Sequence, residues 1–280
     1  MATNSVKQQI EARASGTRQR NISPENVYDV DVDIPEISIQ EKIGSLLYSI
    51  EEKQINNRNI IDKMESMAKT LYDYWFLQFE FPNEDGKPYK SSGGKMVWNE
   101  VLKREIPEGW ELKYCKDILD VVTGKEDANH STLNGKYPFF TCGVETLKCD
   151  DYKFDGKMIL IAGNGDFNVK YYDGKCNAYQ RTYVLIPKIE KYIGLLYQNA
   201  VRKINSFKVG SNGSIVKFIT KGDVENIEIL IPNNEELVNV FNEILSAIEH
   251  YKKENQELSS LRDFLLPLLM NGQVGFKEEE

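Results

Sequence analysis

Two stretches almost two hundred residues apart share one pattern. Gly16–Pro35 reads GTRQRNISPENVYDVDVDIP and Gly213–Pro232 reads GSIVKFITKGDVENIEILIP. Gly, Ile, Ser/Thr, Asn/Asp, Val and Pro match in place at an offset of 213 − 16 = 197 positions. Each copy closes on alternating apolar residues: Val30, Val32 and Ile34 in the first, Ile227, Ile229 and Ile231 in the second. Alternation of this kind buries one face of a strand, and the proline at the end stops it. The spacing predicts a strand at the end of each copy.

Both copies lead into a long amphipathic helix. Heptad positions a of the first are Ile43, Ile50, Asn57, Met64 and Leu71, and positions d are Leu46, Lys53, Ile60, Met67 and Tyr74. Leu47, Ile61 and Trp75 widen the stripe on the neighbouring column. In the second, positions a are Phe241, Ile248, Asn255, Arg262 and Leu269, and positions d are Ile244, Tyr251, Leu258 and Leu265. Lys53 and Arg262 break the seams. Asn57 and Asn255 fall in the same slot, where a buried Asn sets coiled-coil register; a solvated interruption of the stripe is the other reading. Two helices with apolar seams pack most simply on one another.

The residues between the helices have a different texture. Residues 82–98 are rich in turn formers. From about 100 to 232 come short apolar runs such as Met158-Ile-Leu-Ile-Ala162 and Tyr183-Val-Leu-Ile186, punctuated by Asn134-Gly135, Asp155-Gly156 and Asp173-Gly174. Such pairs favour two-residue hairpin turns, so a mostly β domain is expected here. At 280 residues, 41% hydrophobic and 28% charged, the chain has ordinary globular values, which excludes wholesale disorder. No run approaches a membrane span and no signal peptide opens the chain. Four cysteines without a CxxC pair, beside two histidines, argue for reduced thiols in a cytoplasmic protein.

The net charge of −8 hides a regional contrast. Residues 151–221 carry 12 Lys+Arg against 5 Asp+Glu, a surplus of +7, interleaved with Tyr171, Tyr172, Tyr179 and Tyr183. A basic, turn-rich surface can hold phosphates, although a solvated face of an ordinary domain explains charge alone equally well. Catalytic signatures are missing. Asp85-Gly86-Lys87, Asp155-Gly156-Lys157 and Asp173-Gly174-Lys175 imitate half of a nuclease metal site, but turn chemistry explains Asp-Gly. Ser92-Gly-Gly-Lys95 is not a phosphate loop, and Gly163-Asn-Gly165 is not a dinucleotide fingerprint. His130 and His250 make no metal-ligand spacing with any cysteine. The chain reads as a binder.

Leu71-Tyr-Asp-Tyr-Trp-Phe-Leu-Gln-Phe-Glu-Phe-Pro82 and its continuation Gly86–Trp98 resemble the central region of the specificity subunits of type I restriction–modification systems. Glu105–Glu111 is similar to the start of a target recognition domain in that family. Ile159–Asp166 and Ala178–Val184 are similar to its interior, and Ile219–Pro232 to its end. The resemblance implies an α+β chain: a mostly β globular target recognition domain plus two long antiparallel helices forming a coiled coil. It divides the chain into a tail like the end of a first recognition domain (1–35), a central long helix (36–81), a connecting loop (82–104), a target recognition domain (105–232), a distal long helix (233–272) and an acidic tail (273–280). The body of a first recognition domain is not expected in this chain.

The function the resemblance implies is a non-catalytic, sequence-specific DNA-binding subunit that directs a type I complex to its site. The alternative is a truncated coiled-coil assembly subunit that docks modification subunits without productive DNA recognition. Double-stranded DNA, modification (methyltransferase) subunits and restriction (translocase/nuclease) subunits are the expected partners, with a second copy or another specificity fragment as a further one and no membrane. The chain itself is expected to need no cofactor or metal; S-adenosylmethionine, ATP and Mg²⁺ belong to partner subunits. For base edges the candidates are Asn164, Gln180, Arg181, Ser211 and Asn212, and for phosphates Lys170, Lys175, Lys208 and Lys217. Asn and Gln suit adenine, and Arg suits guanine. Asn57 and Asn255 are the candidates for coiled-coil register. The aromatic stretch Tyr72–Pro82 reads as core at the foot of the helix.

Overall fold

The structure, a computed structural model, describes residues 4–16, 20–32, 34–209 and 218–276. The chain opens with helices α1 (Asn4–Arg13), α2 (Pro24–Tyr28) and α3 (Ile37–Tyr72), the last running into one π turn at Asp73–Leu77. Strands β1 (Met96–Asn99), β2 (Arg104–Pro107) and β3 (Glu111–Tyr114) come after it, then the short α4 (Cys115–Ile118). Next come β4 (Leu119–Thr123), β5 (Tyr137–Phe140), β6 (Leu147–Cys149), β7 (Lys157–Ala162), β8 (Val169–Asp173), β9 (Asn177–Ala178) and β10 (Thr182–Pro187). Helices α5 (Ile193–Val209) and α6 (Lys221–Glu225), strand β11 (Glu228–Ile231) and helix α7 (Glu235–Met270) complete the order. Two compact units emerge, Met1–Asp62 with Ile248–Glu280, and Lys63–Ala247. No helix among the described residues is long and apolar enough to cross a membrane.

Within the first unit, α3 and α7 meet antiparallel. Gln54 Nε2 donates to Ser259 Oγ at 2.7 Å and to Asn255 O at 3.1 Å, while Asn57 Nδ2 donates to Glu254 Oε2 at 2.7 Å and to Asn255 Oδ1 at 3.0 Å. Asn57 is fully buried. The buried column beside Ile43, Ile50 and Asn57 runs through Gln54 and Ile61, whereas Lys53 is exposed and only flanks the seam, 3.3 Å from Glu254. The expected d column of α3 is thus displaced by one residue. Counting apolar residues passes over Gln54, which is buried because its amide finds partners on the facing helix.

The second unit is built on the sheet β4-β10-β7-β8, antiparallel throughout. Its central strand β7 is buried on both faces, which explains the unbroken apolar run. Ile159 and Ile161 join a large core with Leu195, Leu196, Ala200 and Ile204 of α5. Met158 and Leu160 face a smaller core with Phe140, Cys176 and Ala178, contributed by or beside the sheet β6-β5-β9. Tyr72, Phe76, Phe79, Phe81 and Trp110 sit in the large core, where the Phe76 ring lies 5.0 Å from Trp110 and 5.7 Å from Phe241.

Several expectations need correction. The three Asn/Asp-Gly pairs close no two-residue hairpin; Gly156 and Gly174 instead meet backbone to backbone beside the open ends of β7 and β8. The 17-residue α5 departs from a domain read as mostly β; an amphipathic helix covering a sheet has no turn signal of its own. Residues 82–98 are not all loop, since Met96–Asn99 pairs with Arg104–Pro107. Finally, Val30, Val32 and Ile34 form no strand, and Val32 and Ile34 are exposed. Their counterpart β11 is a strand because β3 pairs with it in register Ile229↔Lys113. A segment without a ladder partner gains nothing from its alternation.

Candidate nucleic-acid interface

At one end of the central sheet, four segments of the second unit converge. The β7–β8 hairpin is closed by Gly163–Asn168, held by Ala162 N–H to Asn168 O at 2.9 Å, with Gly165 and Phe167 at φ +68° and +44°. The segment Thr141–Gly143 is tied to it, since Asn168 Nδ2 donates to Cys142 O at 2.9 Å and Lys170 Nζ to Gly143 O at 2.9 Å. The turn before β10 joins through Arg181 O, which accepts from Gly163 N at 2.9 Å and from the Cys142 thiol at 3.4 Å. The segment entering α6 joins through Ile219, whose N–H donates to Gly163 O at 2.7 Å and whose carbonyl accepts from Tyr183 Oη at 2.8 Å. All of these ties are to main-chain carbonyls, so the loops are fixed while Asn164 and Arg181 keep their side chains outside the network.

Arg181 is exposed and Asn164 half-buried on this rim, and neither side chain is in an ion pair or hydrogen bond among the described residues. An exposed guanidinium and a carboxamide on one rim can present the donors that base edges in a major groove accept. The other candidates are placed differently. Gln180 is exposed, but its Nε2 donates to Asp127 Oδ1 at 3.0 Å. Lys170 is half-buried with its ammonium on Gly143 O and 5.7 Å from the Phe140 ring; burial lowers its pKa. Through that bond it fastens a loop. Lys175 lies past the far end of β8, roughly 17 Å along the strand from the rim at ~3.4 Å per residue, over the Tyr152 ring at 4.6 Å. Ser211, Asn212 and Lys217 lie outside the described residues, as does the Lys208 side chain.

Part of the basic surplus of residues 151–221 is offset by the fold, since four of its cations pair with acids outside the block. Lys157 pairs with Glu190 at 2.7 Å, Lys188 with Asp120 at 3.6 Å, Arg202 with Asp73 at 3.6 Å and Lys221 with Glu225 at 3.3 Å. Lys153 meets Asp151 and Lys191 meets Glu235. Asp73, Asp120, Glu225 and Glu235 all lie outside the block counted, so a regional sum could not foresee them. Residues the sequence did not single out, Asn168 above all, organise the rim; an asparagine that bonds two distant carbonyls leaves no local pattern.

Residues 107–260, more than half of the chain, match the family described as type I restriction modification DNA specificity domain. The EcoDI type I restriction enzyme specificity subunit of Escherichia coli is 32% identical over 179 residues, which are 61% of this chain and 40% of that protein. The MjaIX specificity subunit of Methanocaldococcus jannaschii is 23% identical over 99% of this chain and 68% of its own length. The chain thus spans about two fifths of the first relative and two thirds of the second. A crystal structure of a type I restriction–modification S subunit from M. genitalium shares the architecture, with a TM-score of 0.59 at 19% identity over 99% of this chain and 71% of the other. The chain belongs to the family of type I restriction–modification DNA specificity proteins.

Proposed function

We propose that this chain is a non-catalytic subunit that reads a DNA sequence and directs a type I restriction–modification complex to it. The observation that carries the reading is the rim at the end of the central sheet. Four segments locked to one another through main-chain carbonyls leave the exposed Arg181 and the half-buried Asn164 with their side chains outside the network. A reader of base edges needs that arrangement, because side-chain donors discriminate bases only when their loops are fixed. Modification and restriction subunits supply S-adenosylmethionine, ATP and Mg²⁺ chemistry, and the paired long helices are the surface on which they dock. A second copy or another specificity fragment would provide a second reading surface.

A second reading, an assembly subunit that spaces modification subunits, is favoured by the polar seam contact of Asn57 with Asn255 and Glu254. One experiment separates the two. The chain, assembled with modification subunits, is used to select from a random-sequence duplex pool, and bound sequences are compared with those of Arg181→Ala. Recognition predicts a selected motif, and Arg181→Ala should cost about 1–3 kcal/mol and relax one position of it. No enriched motif, or identical motifs and affinities, would favour the assembly reading.

A further inference from the structure

Away from the rim, the fold assembles three residues of different donor chemistry that the sequence keeps apart. His130 ends the short 3₁₀ turn Ala128–His130, Cys149 ends β6, and Asp151 stands two residues later. One ligand atom of each lies within 4.8 Å of those of the other two. His130 Nε2 is 2.6 Å from Asp151 Oδ1. On the other side of the ring, His130 Nδ1 is 3.3 Å from Glu126 Oε2. Cys149 is fully buried while His130 and Asp151 are partly exposed, so one donor is inside and two are at the mouth. Asn177, also fully buried, holds Asp151 Oδ1 with its Nδ2 at 3.0 Å.

We propose that His130, Cys149 and Asp151 form a binding site for a divalent transition-metal ion of the zinc class. Thiolate sulfur, imidazole nitrogen and carboxylate oxygen together are the donor set of zinc, which takes tetrahedral geometry with bonds of about 2.0–2.3 Å. Those bonds set ligand atoms about 3.3–3.8 Å apart. His130 Nε2 and Asp151 Oδ1 must therefore part by roughly 0.7 Å, with Nε2 giving up the proton it shares with Asp151 while Nδ1 keeps its own toward Glu126; the Cys149 thiol leaves its hydrogen bond to Asp151 O at 3.1 Å, and both displaced protons pass to solvent. Glu126 supplies the outer-sphere partner that zinc-bound histidines have, a carboxylate on the ring nitrogen facing away from the ion. The fourth position opens to solvent. The site would fix Glu126–His130, a segment that pairs with Tyr179 and whose Glu126 carbonyl accepts from Gln180 N–H at 2.9 Å. Its role is structural: it braces the turn that carries Gln180 and Arg181.

The test is Co²⁺ titration of the full chain after chelator treatment. The expected result is one Co²⁺ per chain, with tetrahedral visible bands and a sulfur-to-cobalt charge-transfer band in the near ultraviolet. Cys149→Ser should lose the charge-transfer band, Cys142→Ser should keep it, and Glu126→Gln should weaken binding about 10–100-fold. Because a buried thiol change can unfold the domain, His130→Gln at the partly exposed position is a second probe. With circular dichroism unchanged, it should abolish binding and the rise in Tm that excess Zn²⁺ gives the parent chain. No stoichiometric binding, a band that survives Cys149→Ser, or one that disappears with Cys142→Ser would overturn the proposal. The readouts involve no DNA, so they stand apart from the recognition reading.

Discussion

Asn57 shows how much a single buried polar side chain can decide. Its Nδ2 donates to both Glu254 and Asn255, yet its Oδ1 is buried without a partner, so the contact imposes direction at a cost in stability. Asn57→Ala should lower the unfolding free energy by about 1–3 kcal/mol, because two donors vanish and their acceptors lose compensation. The double variant Asn57→Leu/Asn255→Leu should recover that loss in a denaturant titration while broadening the distribution of masses in light scattering. A double variant that stays as well defined as the parent would remove register from the roles of this pair. The same contact has a pH signature. The hydrogen bond from Asn57, aided by Lys53, holds the Glu254 carboxyl below the usual glutamate range. A depressed carboxyl stabilises the fold above its unfolded pKa, and that contribution fades as pH falls through its folded value. Acid titration of stability should therefore be shallower in Asn57→Ala than in the parent chain.

Among the secondary-structure elements, the two copies of the repeat form an internal control. In both, a hydroxyl caps a five-residue helix: Ser23 Oγ accepts from Asn26 N–H before α2, and Thr220 Oγ1 accepts from Asp223 N–H before α6. This local device works wherever the residues stand. Beyond the caps the copies diverge, because Val224 is fully buried and β11 pairs with β3, whereas Val27 is half exposed and Val30–Ile34 pairs with no described strand. Close packing governs α5 in the same way. A Cβ on Gly194 would fall 2.4 Å from the backbone of Phe241 in α7, at a junction where Gly194 N–H donates to Asn242 Oδ1 at 2.9 Å. Gly194→Ala should cost about 1–3 kcal/mol, read as a lower denaturant midpoint, since main chain on main chain cannot yield as a side-chain tip can. An unchanged midpoint would mean that the two backbones part without strain.

Across the molecule as a whole, charge is the quantity that the fold redistributes. A surplus of +7 over residues 151–221 points to a phosphate-binding face, but six of its twelve cations lie in ion pairs and Lys170 fastens a loop. Binding to DNA should accordingly depend on salt less steeply than that count suggests. Arg181→Ala should flatten the slope of log K against log salt by about 1 if the guanidinium neutralises one phosphate, and leave it unchanged if it reads only a base edge. Much of the architecture is legible in the residues. The two long helices, the apolar run of β7, the aromatic core at Tyr72–Pro82 and the paired slots of Asn57 and Asn255 are all visible as local spacing. Periodicity and capping act within a few residues, so residue order alone specifies which segments coil, which extend and where helices start. Tertiary packing was needed to settle which extended segment became a strand, which column of α3 is buried, which lysines stay free of partners, and that His130 meets Cys149 and Asp151. Each of those outcomes depends on a partner supplied by a distant part of the chain, and a hydrogen bond, ion pair or packed face has no meaning until both halves are brought together.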